Sequence, residues 1–222
     1  MEKFTDIKYY KNKEDDPLRR FVEKESGGAE YSPMDPPDIS EESINLDEFA
    51  PCLKTLIEDH QKFIVKLEEF EKAIIHLKTQ GIKKEDNVNQ SINGFFAYFD
   101  QEILVHNFKE EKFLFPILNK RLIEKKEYNQ LDGKRTAVDT MEDDHIKLIQ
   151  LSTLTFNLFG LSVRLPDPDS QLIVLDLAIE QGLMLIELLQ LHIYRENHIV
   201  FELAQKHLTA DELTEIMENF NS

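Results

Sequence analysis

The chain has 222 residues, with 26 basic against 43 acidic side chains, a formal charge of −17. That length suits one domain with an extension, or two small domains, and it can bury a substantial core. The acid excess argues against nucleic acid and against an anionic membrane surface, both of which are bound through Lys and Arg. One cysteine, Cys52, excludes an internal disulfide framework and a Cys-rich zinc or iron–sulfur site. It fits a reducing cytosol, and the opening residues show no apolar stretch of the signal-peptide kind, so a cytoplasmic protein is expected.

Residues 1–46 differ from the rest. They hold Pro17, Pro33, Pro36 and Pro37, the pair Gly27-Gly28, and no sustained apolar period. Such a stretch buries too little surface to offset its ordering entropy. It is expected to be an acidic, largely irregular tail, with a short helix near 17–24 and a role in docking a protein partner as the sharper alternative. From about residue 47 the apolar period is helical. The breaks at Gly81, at 129–133 and at 165–170 predict helices over 47–80, 85–124, 134–161 and 169–207. A capping box at Thr209 to Glu212 opens a fifth over 210–220. Asp169 or Ser170 is the expected cap of the fourth. Residues 172–191 have the length of a membrane span, but Asp176, Glu180 and Glu187 would be costly in lipid, so a buried helix is the better reading. The expectation is an all-α chain: an antiparallel up-down four-helix bundle over 47–222 with a short fifth helix.

The inward seams carry the chemistry. The first helix gives Leu53, Leu56, His60, Phe63, Leu67, Phe70, Ile74 and Leu77, spaced alternately by three and four. The second gives Phe95, Phe99, Ile103, His106, Glu110, Phe113 and Ile117. The third gives Val138, Met141, His145, Leu148, Ser152, Thr155 and Phe159. The fourth gives Ala178, Gly182, Leu185, Leu189, His192, Glu196, Ile199 and Leu203. The polar positions therefore read His, His-x3-Glu, His, His-x3-Glu. His60 to His106 spans 46 residues and His145 to His192 spans 47. The segments HNFKEEKFLF (106–115) and HIYRENHIVF (192–201) match at His, Glu and Phe. Two hairpins with one device imply approximate twofold symmetry, each bringing two His and one Glu to the midplane.

A single seam histidine is ordinarily a hydrogen-bonded core residue. Six polar groups at one level are different, because each unpartnered one costs roughly 2–7 kcal/mol on transfer scales. Imidazole nitrogens and carboxylate oxygens are ligands of first-row metals. Four His and two Glu exceed what one tetrahedral zinc takes. They suit two metals, each held by two His, with Glu110 and Glu196 as bridges. A shared oxo, hydroxo or water bridge would leave about one open position per metal, the mark of a reactive site.

With these residues in hand, the chain resembles the hemerythrin-like, or HHE cation-binding, family over about 47–220. The most specific parts are HNFKEEKFLFP from His106, HIYRENHIVF from His192, and the single His ending LIEDH (His60) and EDDH (His145). The resemblance implies a non-heme di-iron centre that meets O2, peroxide or nitric oxide; manganese fits the same ligands. Oxygen carriers of the family have a fifth His four residues after the third-helix His, where this chain has Ile149, and an Asp where it has Glu196. The chain is more similar to the four-His, two-Glu branch, so catalysis at the site and an iron or gas sensor or store acting on a partner protein both stay open. A ferritin-like carboxylate site needs two Glu-x2-His pairs, and only Glu142-x2-His145 is present. Glu102 and Glu142 are read as solvated acids, with extra-ligand and outer-partner roles as sharper alternatives. His76, His198 and His207 are read as surface residues, and Cys52 as a small buried side chain.

Overall fold

The structure is a computed structural model that describes residues 45–80, 86–129 and 133–220. The expected tail lies outside the described residues up to position 44, as do the break at Gly81 and most of the turn at 129–133. Among the described residues regular structure is helical and there is no strand, only an isolated bridge between Asn129 and Arg135. They fall within one compact unit.

Helix α1 is Pro51–Gln80, preceded by a short 3-10 turn at Leu46–Glu48 that Asn45 caps. It therefore opens later than the period suggests, because the apolar pattern does not register the proline. A continuous rod, α2, runs over 86–125. Helix α3 is Ala137–Ser162, opened by a reciprocal capping box between Thr136 and Asp139. The rod α4 covers 168–207 and α5 is Ala210–Phe220. Asp167, not Asp169 or Ser170, caps α4. Pro168 occupies the first turn, where its missing N–H costs nothing, and the Asp167 carboxylate accepts from the Ser170 N–H at 2.9 Å. The box at Thr209 forms as expected, with the Thr209 N–H donating to Glu212 at 2.8 Å, and Arg121 of α2 binds Glu212 at 2.7 Å.

Helix α1 packs against α2, α4 and α5, while α3 packs chiefly against α4. An apolar cluster containing Phe63, Phe70, Phe95, Phe99, Leu148, Leu185 and Leu189 fills one end of the core. Leu53, Leu56, Leu114, Leu118, Met141, Phe201 and Ile216 are buried toward the other end. The six polar seam residues stand between these two apolar groups along every rod.

Both rods that carry His-x3-Glu are interrupted by π-helical turns. In α2 these are Phe99–Ile103 and Glu110–Leu114, and in α4 Glu196–Val200. The Phe115 N–H reaches back five residues to the Glu110 carbonyl, and the Phe201 N–H to the Glu196 carbonyl. Each such turn inserts one residue, rotating the downstream side chains by about 100°. Across the turns that begin at Glu110 and Glu196 the seams therefore jump, whereas across Phe99–Ile103 the expected residues Phe99, Ile103 and His106 all stay buried. Beyond Glu110 the buried side chains are Leu114, Phe115 and Leu118, not Phe113 and Ile117. Beyond Glu196 they are Val200, Phe201 and Ala204, not Ile199 and Leu203. Pro116 disfavours the normal ladder just downstream of the first of these turns. The fourth rod makes the same turn with Glu202 at the matching place.

Among the described residues the tightest aromatic pair is Phe70 on Phe95, stacked at 4.1 Å with both rings buried. Phe70→Ala should destabilise the chain by about 3–5 kcal/mol, read as a lower urea midpoint with an unchanged slope. A loss below about 1 kcal/mol would mean that the layer is not packed as described.

Candidate metal centre

All six predicted residues meet in one buried ring, each at most 3 % exposed. His60 comes from α1, His106 and Glu110 from α2, His145 from α3, and His192 and Glu196 from α4. Glu110 and Glu196 each occupy the first position of a π turn, and the His one turn earlier projects on the same face.

The distances divide the ring in two. His60 Nε2 lies 2.9 Å from His106 Nε2. The rings of His145 and His192 form the second pair, with centroids 4.8 Å apart. Glu110 sends Oε1 to His106 Nε2 at 3.5 Å and Oε2 to His145 Nε2 at 3.6 Å. Glu196 sends Oε2 to His60 Nε2 at 3.0 Å, and Oε1 to His145 Nε2 at 3.6 Å and His192 Nε2 at 3.2 Å. Each carboxylate thus spans both histidine pairs.

The outer bonds fix which nitrogen faces inward. His60 Nδ1 donates to the Asn197 carboxamide oxygen at 2.7 Å, which leaves Nε2 with its lone pair toward the ring. His145 Nδ1 donates to the Glu111 carboxylate at 2.7 Å, with the same consequence. His60 stacks on Phe201 at 5.6 Å and His145 on Phe115 at 5.7 Å. These Phe side chains reach the ring because the two π turns rotate them inward. Beside His145, Asp144 is buried and accepts from Arg195 at 2.9 Å.

What faces the interior is mostly acceptors. Both oxygens of Glu110 and of Glu196, His145 Nε2 and His192 Nε2 have no hydrogen-bond partner among the described residues. Lone pairs of imidazole and carboxylate at 3–3.6 Å repel unless a proton or a cation lies between them. The protein's own charges show the demand. Burial opposes the His106 imidazolium, yet Glu110 and then Asp59 push its pKa up to about 9. Burial opposes the His145 imidazolium too, and Glu111 and Glu196 raise it to about 10. Burial, reinforced by the neighbouring imidazoles, depresses His192 to about 3. Burial and the charge of Glu196 raise Glu110. For Glu196 burial acts upward, but His192, His145 and His60 outweigh it and hold the carboxyl well below its usual range.

Two groups in this ring could each hold a metal ion: His60, His106, Glu110 and Glu196, and His145, His192 and Glu196, with ligand atoms within 4.8 Å of one another. Glu102 and Glu142 are exposed and stand outside the ring, in line with the solvated reading. Cys52 is buried, and burial raises its thiol. His76, His198 and His207 are not surface residues but half-buried. His207 Nε2 meets Glu127 at 2.9 Å and His198 lies against the Tyr194 ring at 4.6 Å, contacts that a seam pattern cannot foresee. Sequence reasoning missed Asn197 and Glu111. Both directly follow the ring carboxylates, so the alignment of the two segments already set them opposite each other.

Comparison with protein-family models, with curated proteins and with solved structures gives no match.

The raised groups have a stability consequence. His106 and His145 keep their protons in the folded chain to about 9 and about 10, above the ordinary value near 6.5 of an unfolded chain. Their contribution is complete below the unfolded value and is lost as the pH climbs through the folded ones; Glu110, also raised, acts in the same sense. Chelator-treated protein should lose stability steadily from pH 6.5 to about 10, followed by urea midpoints. A flat or rising midpoint would contradict the geometry of this ring.

Proposed function

We propose that the chain is a hemerythrin-like protein that holds two iron ions in this ring and binds or reacts with O2, peroxide or nitric oxide. The observation that carries the reading is the pair of buried carboxylates, each with one oxygen toward one histidine pair and the other oxygen toward the second. The donor set fits. His60 and His106 have their Nε2 atoms 2.9 Å apart, close enough that one ion could be held by both. His145, His192, Glu110 and Glu196 present the unpartnered acceptors that two cations would satisfy.

In this reading the four rods form an antiparallel up-down bundle. Its support is the sense of the contacts. His60 meets His106 while Phe70 meets Phe95, so α1 and α2 run oppositely. His145 meets His192, and a Cβ on Gly182 would touch Thr155, so α3 and α4 do likewise. Bound irons supply open coordination positions and electrons for a diatomic molecule or peroxide. The chain itself does the rest. Asn197 and Glu111 fix the tautomers of His60 and His145. Phe201 and Phe115 stack near-parallel beside those imidazoles and hold their planes. No described helix is long and apolar enough to cross a membrane, and we assign the protein to the cytoplasm, where the buried thiol of Cys52 stays reduced.

A sensor or store is the second reading, and the location of the ring favours it. A centre that joins four rods couples metal occupancy to the packing of the whole unit. The tail, as the docking segment for a partner, would report that change.

Metal content of anaerobically purified full-length protein, with an optical spectrum before and after air, tests the first reading. Two irons per chain, with near-ultraviolet absorption growing on oxidation, are expected. Less than one metal per chain after iron reconstitution would overturn it. Chelation should lower the melting temperature by roughly 5–10 °C, the size of a ligand present at a hundredfold its Kd on a chain of this length. Glu110→Ala should melt alike with and without metal.

A further inference from the structure

We propose that Glu111 and Asn197 make the two halves of the ring unequal, so that the His145–His192 half takes the first metal ion and the His60–His106 half the second. This rests on the two-metal reading above. The two segments 106–115 and 192–201 align residue for residue in sequence, and Glu111 and Asn197 occupy the same place in them, directly after the ring carboxylate. Each crosses to the histidine of the opposite hairpin, and each accepts its Nδ1–H at the same 2.7 Å. One acceptor is a carboxylate and the other a neutral carboxamide. A hydrogen bond to an anion is roughly twice as strong as a neutral one, and it pushes electron density through the imidazole to the opposite nitrogen. His145 Nε2 is therefore the better donor of the two.

The other outer contacts are weaker. Among the described residues the Nδ1 of His192 has no hydrogen-bond partner, and the Asp59 carboxylate acts on His106 through its charge alone, 3.9 Å from Nδ1 and beyond hydrogen-bond range. Asp59 is answered by Lys62 at 2.8 Å, as Asp144 is by Arg195 at 2.9 Å. Both bridging carboxylates are shared between the halves. The distinction lies in one position of a repeated motif, filled by Glu on one side and Asn on the other. Glu111 and Asn197 act as positioning residues, through the imidazoles they hold.

The test is an anaerobic titration of the full chain with Co(II) against a chelator, for the natural sequence, Glu111→Gln and Asn197→Asp. Proton NMR of the ring N–H signals at one equivalent reports which half is filled. The side chain of Glu111 is 46 % exposed, so Gln replaces it without disturbing the core. Two separated binding steps are expected. Glu111→Gln should weaken the first by about 10–100-fold and leave the second nearly unchanged. Asn197→Asp should tighten the second and narrow the gap. At one equivalent, the N–H signal shifted by Co(II) should be the one that Glu111→Gln removes or moves. Two bound ions with both steps weakened equally by Glu111→Gln, or with neither changed, would overturn the inequality and leave the paired-metal reading intact. So would a first equivalent that shifts the signal responding to Asn197→Asp. Fewer than two Co(II) per natural chain would overturn the paired-metal reading, and this inference with it.

Discussion

Two carboxylates, Glu110 and Glu196, are fully buried side by side in the middle of a helical core. Left alone they would repel each other and forfeit their hydration, a penalty of several kcal/mol per ion. Four imidazoles close around them, one from each rod, and that constraint organises the remainder. Each histidine must stand at the level of the carboxylates, so the rods are fixed in register along their length. The apolar clusters at either end have no such directional demand, because burial of hydrocarbon is insensitive to small slides.

The ring is also woven between the first two rods and the last two. His60 is oriented by Asn197 and Phe201 of α4, and His145 by Glu111 and Phe115 of α2. Neither pair of rods can set its own single histidine. The ring is therefore complete only when both pairs are packed together, and its polar groups lose their outer partners together if they separate. Networks of this kind are cooperative, and partial satisfaction is worse than none.

How much of this was visible in the sequence depends on the geometry of a helix. Where the ladder is regular, spacing by three and four names the buried face, and every seam residue of α1 and α3 is buried as expected. In α2 and α4 the pattern holds down to Glu110 and Glu196. It then fails by one residue, because a π turn adds a residue that a fixed period cannot anticipate. The ring itself was legible because burying His and Glu on an apolar seam is expensive and the expense is repeated. The outer partners were not, since Glu111 and Asn197 lie off the seam, where a half-exposed acid and a single buried amide carry no periodic signal. The proline-guarded starts differ from the expected ones, by four residues in α1 and by one in α4, for a related reason: caps are set by backbone donors, not by apolar period.

The π turns link the fold to the chemistry. A regular helix through Glu110 would leave Phe113 inward and turn Phe115 away from His145. The inserted residue brings Phe115 onto the imidazole, and in α4 the matching turn brings Phe201 onto His60. Each turn thus begins at the carboxylate that spans the ring and ends beside the aromatic that shields a histidine. A π turn of this kind is retained when the contacts it creates outweigh the poorer hydrogen bonding within it. Here the same turn occurs twice, with a proline nearby in only one of the two rods. The common factor is the polar ring, which demands a carboxylate and an aromatic on one face at a spacing that an unbroken α-helix does not provide. A purely structural core would gain nothing from that arrangement, since six apolar side chains on an uninterrupted seam would pack without unpartnered acceptors. The repeated departure from regular helix is what the chain accepts in order to hold donors toward a common centre.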